Sequence, residues 1–269
     1  MDILKRDLAP VVSEAWKQVD EEAKRVLKLN LAGRRVSDVK GPHGWEYAAV
    51  NLGRLRLLKK QPAHHVGVGV REVQPLVEFR TPITLNLMEL DNVVRGAADI
   101  DLKPVVAAAE RSARVEDGAI FNGYADAGIT GIAQASPHKP IAIKSPDTYP
   151  HAVVEACEVL REAGIDGPYA LVLSPQSFTD ISRATQDGYP IRKRIETQII
   201  AGPLVYAPAI DGAILLSIRG GDYELTIGQD LSVGYASHDR TSVELYLTES
   251  FTFRVLEPAA AVVLKAPKR

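Results

Sequence analysis

The sequence has little of what would place a protein in a membrane, outside the cell or on a nucleic acid. Its 269 residues include one cysteine, Cys157, so no intramolecular disulfide can form and a reducing compartment is indicated. No apolar stretch approaches the ~20 residues of a spanning helix, and Met1 to Arg6 do not resemble a signal peptide. The 32 basic residues nearly balance the 34 acidic ones, without a long basic block. We predict a cytoplasmic protein that binds neither membrane nor nucleic acid.

The sequence also lacks the motifs of common catalytic and metal sites. No two histidines stand four residues apart as helical zinc ligands do, and one cysteine cannot supply a zinc motif. There is no G-x-S-x-G nucleophile elbow, and Gly67-Val68-Gly69 lacks the third glycine of a dinucleotide-binding turn. Neighbouring carboxylates such as Glu116-Asp117 are interpreted as solvated helix faces or caps. No catalytic or metal-binding residue is predicted.

Helical patterns occupy the first and middle parts of the chain. Residues 13–31 carry apolar side chains at three- and four-residue steps, which predicts an amphipathic helix capped by Ser13, stopped by Gly33 and separate from the body. Further helices are predicted over residues 88–94, 104–121, 148–162, 175–184 and 190–200. A glycine follows each of the first three, and a proline lies near the start of each of the last two.

Strand patterns fill residues 45–87 and most of the last third. The segment 52–71 alternates apolar and basic residues and predicts a two-stranded ribbon, which is marginal in water unless another chain covers it. Later strands are predicted over residues 169–173, 213–218, 223–227, 243–248, 251–255 and 261–264. The turn Arg219-Gly220-Gly221-Asp222 is interpreted as a hairpin. Helices and strands mix without a βαβ repeat, so the predicted fold class is α+β.

Motifs spread along the whole chain carry a resemblance to a known family. They include Ala32-Gly33-Arg34-Arg35-Val36-Ser37-Asp38-Val39, Gly41-Pro42-His43-Gly44-Trp45-Glu46-Tyr47, Gly164-Ile165-Asp166-Gly167-Pro168-Tyr169, Ile227-Gly228-Gln229-Asp230-Leu231-Ser232-Val233-Gly234-Tyr235 and Thr248-Glu249-Ser250-Phe251-Thr252-Phe253. In these motifs, their order and their spacing the chain resembles encapsulin shell proteins, formerly labelled linocin-type bacteriocins.

The resemblance implies the fold of tailed-bacteriophage major capsid proteins, the Hong Kong 97 type. The implied parts are an N-terminal helical arm (1–40), an extended-loop region (41–87), a peripheral domain with a spine helix (88–135), an axial domain (136–224) and a return to the peripheral domain (225–269). The ribbon would lie on a neighbouring subunit.

The implied function is a shell protein without enzymatic activity. Members of the family assemble into closed icosahedral nanocompartments and enclose cargo enzymes, such as a ferritin-like protein or a dye-decolourising peroxidase, through C-terminal targeting peptides. The alternatives are a bacteriocin-like protein or a soluble hydrolase. A viral capsid protein is a third possibility, which the near-neutral charge argues against because packing nucleic acid needs clustered bases.

By the resemblance, the cargo peptide binds in an interior groove between the first helix and the returning strands. The matching positions are Leu27, Leu31, Arg34, Asp38, Val39, Leu231, Val233 and Tyr235. Leu27 and Leu31 lie one helical turn apart and present one apolar stripe, suited to an extended apolar peptide. The alternative interpretation is that both leucines are ordinary core contacts of the helix.

Two further expectations concern a pore and a cofactor. Gln186, Asp187, Gly188 and Tyr189 form a predicted turn, which in the family lies where axial domains meet around a fivefold axis, so we predict a polar pore there. Met88 stands where some relatives carry a tryptophan that stacks on a flavin. Methionine lacks the planar face needed for such stacking, so no cofactor is predicted.

Overall fold

The computed structural model of the chain describes residues 3–60, 62–63, 65–186 and 188–266. Its helices are α1 (Ser13–Asn30), α2 (Leu87–Val94), α3 (Lys103–Asn122), α4 (Ile132–Ala135), α5 (Tyr149–Glu162), α6 (Pro175–Arg183) and α7 (Ile191–Arg194). The last continues as a π-helical turn, Ile195–Ile199. Short 3-10 turns are Arg6–Leu8, Gly33–Arg35, Ala125–Ala127, Pro146–Thr148 and Pro258–Ala260.

The helix ends follow the sequence closely, with two corrections for α1, at Ser13 and at Gly33. This residue is the first of α1 rather than its cap, because Val12 holds the N-cap position and the Ser13 hydroxyl donates to Glu14. The predicted Ser13 cap is therefore wrong. Gly33 does not end α1 either, since the helix stops at Asn30 and Gly33 opens the next 3-10 turn.

The strands form two main sheets and two small ribbons. They are β1 (Asp38–Lys40), β2 (Ala49–Leu57), β3 (Gly69–Pro75), β4 (Val77–Asn86), β5 (Ile141–Ala142), β6 (Tyr169–Leu173), β7 (Thr185–Gln186), β8 (Tyr189–Pro190), β9 (Leu204–Tyr206), β10 (Ala213–Ser217), β11 (Tyr223–Ile227), β12 (Ser232–His238), β13 (Ser242–Val255) and β14 (Ala261–Lys265).

The first sheet is built around the long strand β13. Strands β4, β11 and β12 all pair with it antiparallel, and β1 runs parallel to β11. Because β4 and β12 pair with the same residues of β13, they lie on its opposite sides. The sequence patterns at 243–248 and 251–255, predicted as two strands, are one continuous strand.

The second sheet has the order β5-β14-β10-β6-β9. Strand β10 is antiparallel to β6 and β14, whereas β5 and β9 run parallel to their neighbours. Since β10 and β11 belong to different sheets, the turn Arg219–Asp222 crosses between sheets, and the predicted hairpin is wrong. Strand β14 also joins this second sheet, so residues 225–269 divide between the two sheets.

Two hydrophobic cores support these sheets. One surrounds the second sheet and includes Leu160 of α5 with Leu171 and Leu215. The other lies between α1 and α3 on one side and β4, β12 and β13 on the other. Ala15 and Val19 of α1 are fully buried in it. The expectation of a separate N-terminal arm is therefore wrong for α1, which packs as a core helix.

The predicted ribbon is formed by β2 and β3. In the described chain these strands pair with each other and with no other strand, and the register shifts between Asn51 and Leu55. Leu55 and Leu57 are 61% and 64% exposed. A two-stranded ribbon with outward leucines gains little stability from its own subunit. Its base contacts the body where the Gln74 side-chain amide donates to the Gly128 carbonyl at 3.2 Å.

Candidate functional site

The structure brings most of the predicted groove residues together between the end of α1 and β12. Leu27 and Leu31 pack in the same core as Val233, with Leu231 and Tyr235 against its margin. Leu27 and Leu31 are only 7% and 8% exposed, whereas Leu231 and Tyr235 are partly open. In this chain the two helix leucines therefore make core contacts, and the accessible apolar surface is on the strand. The assignment of these residues to peptide binding stays a prediction.

The edge of the first sheet that carries β12 is covered at both ends. Towards β11, the His43 N–H donates to the Ile227 carbonyl at 3.0 Å and the Gly44 N–H donates to the Gly228 carbonyl at 2.8 Å. At the other end, the Tyr235 N–H donates to the Leu4 carbonyl at 2.8 Å. Segments of the chain itself therefore cover this edge on both sides of Val233.

Between these caps the Val233 N–H and carbonyl point away from β13 toward the sheet edge, although the residue is only 3% exposed in the single subunit. Backbone groups alternate in direction along a strand, so Val233 points to the same side as Tyr235, away from β13. Within the residues that the structure describes, no partner is found for the Val233 N–H or carbonyl on that side. Leu231 lies beside this gap. Unpaired backbone groups at a strand edge, next to an apolar side chain, are the groups with which an extended peptide pairs when it adds as a strand.

Arg34 is held in an ion cluster rather than turned toward a groove. Its guanidinium contacts Glu116 Oε2 at 2.7 Å, Glu249 Oε1 at 2.6 Å and Asp230 Oδ1 at 2.9 Å. The side chains of Glu116 and Glu249 are fully buried. Burial opposes the positive charge of Arg34, but the three carboxylates outweigh this effect and raise its pKa. Among the described partners of Arg34, Asp230 is the partly exposed one, and it lies next to Leu231 at the β12 edge.

Burial also acts on the carboxyls around Arg34. Burial, with Glu116 beside it, raises the pKa of Glu249 well above its usual range, and Glu249 Oε2 has no hydrogen-bond partner among the described residues. Asp117 accepts the backbone N–H groups of Ala32 and Gly33 at 2.9 and 2.8 Å. Burial nevertheless raises the pKa of Asp117 to about 7. These carboxyls fix the turn after α1.

The sequence interpretation missed these buried acids. Glu116-Asp117 was expected on a solvated face, and the structure contradicts this because both residues are 0% exposed. A signal was present, since Ala109, Ala113, Glu116 and Ile120 follow helical spacing and place Glu116 within an apolar stripe. The partners Arg34 and Glu249 are distant in sequence and could not be read from that spacing.

Asp38 and Val39 lie in β1, away from the leucines. The Asp38 carboxylate accepts the Gly221 N–H at 2.6 Å, and Val39 pairs with Leu225 of β11. Both side chains are exposed. They flank the same side of β13 as β12 but are separated from Leu231 by the His43–Gly44 cap. The structure does not bring them together with Leu27, Leu31 or Val233.

Comparison with known proteins decides the family. The family model described as "Encapsulating protein for peroxidase" (Linocin_M18) matches residues 1–252. The chain belongs to this family. Type 1 encapsulin shell proteins of Rhodospirillum rubrum and Brevibacterium linens are each 46% identical, over 98% of this chain and 97% and 99% of their own lengths. The predicted family is confirmed.

Solved structures confirm the capsid fold. A virus-like particle from Pyrococcus furiosus superposes with a TM-score of 0.63 at 14% identity, over 93% of this chain and 98% of the other. The capsid of Myoviridae phage XM1 gives a TM-score of 0.57 at 12% identity, over 88% and 92%. These likenesses support the Hong Kong 97 type fold that the resemblance implied.

Two other features expected of this encapsulin family member fall on exposed positions. Strands β7 and β8 pair antiparallel, with Gln186 opposite Tyr189 and Gly188 at a φ of +78°. Asp187 lies outside the described residues. The pore stays a prediction. Met88 is 67% exposed at the start of α2, and the absence of flavin also stays a prediction.

The described part of this family member offers no metal centre or membrane helix. Its His, Cys, Asp and Glu side chains form no group of three placed to hold an ion. None of its helices combines the length and apolarity required to cross a bilayer.

The buried carboxyl of Asp117 yields a pH prediction. Its folded pKa of about 7 exceeds the ordinary value of 3.8, so its contribution is most favourable at low pH and is lost as pH rises toward 7. Asp117→Asn should flatten the pH dependence by up to about 1.4 kcal/mol per pH unit in that window. It should also lower stability, because an amide oxygen replaces two acceptors. Denaturant unfolding at pH 5 and 7.5 measures both effects, and an unchanged pH slope would contradict the assignment.

Proposed function

We propose that the chain assembles with copies of itself into a closed icosahedral shell that encloses a cargo enzyme. One structural observation carries the first part: the β2–β3 ribbon lies outside both cores and exposes Leu55 and Leu57. An apolar ribbon of this kind needs a surface supplied by another subunit. Shell-forming relatives with nearly the same length support the proposal. The chain acts as a structural subunit in the cytoplasm and not as an enzyme.

The cargo would bind through an extended C-terminal peptide at the edge of β12, where Val233 is buried in the single subunit and would be uncovered on binding. Main-chain hydrogen bonds to Val233 would supply affinity, and Leu231 with Tyr235 would select apolar side chains. A single short contact of this kind is weak, but cargo with several tails engages several identical sites at high effective concentration. The family description favours a peroxidase as cargo, and a ferritin-like protein is the second candidate.

Particle size tests the assembly directly. The purified chain should elute from a size-exclusion column as a megadalton-scale species and appear in negative-stain microscopy as uniform closed shells. A monomer or small oligomer under the same conditions would contradict the proposal. Light scattering on the eluted peak separates closed shells from disordered aggregates.

A further inference from the structure

The ribbon carries a surplus of positive charge beside its exposed leucines. Between Ala49 and Pro75, one acidic residue, Glu72, stands against the bases Arg54, Arg56, Lys59, Lys60 and Arg71. The ion pair between Arg56 and Glu72 is long, at 3.6 Å. The remaining bases of the ribbon make no ion pair within the described chain. An apolar surface flanked by unpaired bases fits a partner that is apolar and acidic.

A surface with the opposite character lies on α2 and the loop that follows it. This acidic ridge, residues 88–101, carries Glu89, Asp91, Asp99 and Asp101 against one base, Arg95. The loop folds back onto the helix, because the Asp101 N–H donates to Glu89 Oε2 at 3.3 Å. Met88 and Val94 are 67% and 66% exposed on the same ridge. The ridge therefore offers both acids and apolar side chains.

We infer that the ribbon of one copy docks on the acidic ridge of a neighbouring copy, with Arg54 and Arg56 facing its carboxylates and Leu55 and Leu57 contacting its apolar side chains. The inference rests on the proposed shell function and specifies which surface receives the ribbon. Two different patches meet in such a contact, so it is heterologous and can repeat from subunit to subunit.

A second acidic surface on α5 serves as the comparison. Glu155, Glu158 and Glu162 are exposed on that helix, but the large apolar side chain exposed beside them, Val154, is only 40% open. Charge alone would therefore suit either surface, whereas charge combined with two strongly exposed apolar side chains favours the ridge.

Charge reversal tests the pairing. The reversed ribbon is Arg54→Glu with Arg56→Glu, and the reversed ridge is Asp91→Lys with Asp99→Lys. Asp101 is left unchanged because its carboxylate accepts the Lys103 N–H at 3.0 Å at the start of α3. Each reversed variant should lose about tenfold in the fraction assembled into shells, since juxtaposed like charges cost several kcal/mol at an interface. The variant with all four substitutions should recover to within about twofold of the unmodified chain.

The control combines the reversed ribbon with Glu155→Lys and Glu158→Lys on α5, and this variant should stay unassembled. Circular dichroism of every variant establishes that the subunit is folded. Normal assembly of either reversed variant, failure of the four-substitution variant to recover, or recovery through α5 would overturn the inference. If the unmodified chain forms no shells, the proposed function fails, and the inference with it; loss without recovery, in contrast, counts against the pairing alone.

Discussion

Removing the ribbon should abolish shell assembly while leaving a folded subunit. Asn51 and Val73 are paired across β2 and β3, so residues 52–72 can be replaced by the two-residue turn Asn-Gly without straining the base. Neither hydrophobic core loses a buried side chain in this variant. Its free energy of unfolding should therefore change by less than about 1 kcal/mol, as is usual for surface changes. Megadalton particles should be replaced by monomers or small oligomers in size-exclusion chromatography.

Two point-substituted variants show whether assembly depends on the apolar side chains of the ribbon or only on the presence of its backbone. Leu55→Ser with Leu57→Ser should weaken assembly strongly, because each exposed leucine contributes up to about 2 kcal/mol when a partner buries it. Leu29→Ser is the matched control, since Leu29 is 58% exposed on α1 and lies outside the ribbon. Intact shells after ribbon removal would refute the assignment of the ribbon as an assembly element.

Replacing Leu231 should reduce cargo loading alone, whereas replacing Leu31 should reduce loading and particle yield together. Leu231→Asp places a carboxylate at the partly open margin of the β12 edge, where it would face an apolar peptide and remove several kcal/mol of contact. Loading should fall by at least about tenfold while particles persist. Leu31→Asp instead buries a carboxylate in the core, at about 2–5 kcal/mol of subunit stability, so particles and loading should fall together.

Co-purification of a tagged peroxidase with the particles, scored against particle yield, distinguishes the two variants. Normal loading with Leu231→Asp would rule out the β12 edge as the docking site. Selective loss of loading with Leu31→Asp, at full particle yield, would show that the helix leucines contact cargo directly and that α1 moves away from the core to admit it.

Local patterns predicted much of the secondary structure, because its causes are local. The glycine stop after α3, the proline at the start of α6 and the apolar strand β6 were all predicted at nearly the right residues. Strand β12 was not, since Gly234, Ala236 and the serines of its sequence are weak strand formers. It exists because β13 pairs with it along its length. The hairpin predicted at Arg219–Asp222 was wrong for a related reason, because a turn sequence does not show that the strands on either side pair in different sheets.

The sequence predicted which residues form the candidate site but not how deeply they are buried. The resemblance placed Leu27, Leu31 and Val233 together, and the structure agrees. Their burial depends on how closely α1 packs against β12, which a helical stripe does not specify. Arg34 was expected as a guide for a peptide, yet its partners Glu116 and Glu249 lie 82 and 215 residues away. Ion pairs between residues so far apart in the sequence cannot be predicted from the spacing of neighbouring residues.

The register shift divides the ribbon into two paired segments. Residues 49–51 pair with 73–75 near the body, residues 55–57 pair with 69–71 beyond the shift, and Gly53 sits between them at a φ of +70°. Bulges of this kind set the direction of the strand that follows. Each residue of the outer strands adds about 3.3 Å, so a small turn at Gly53 is amplified along them. A change of backbone angle at Gly53 would therefore redirect the outer strands while both cores stay unchanged.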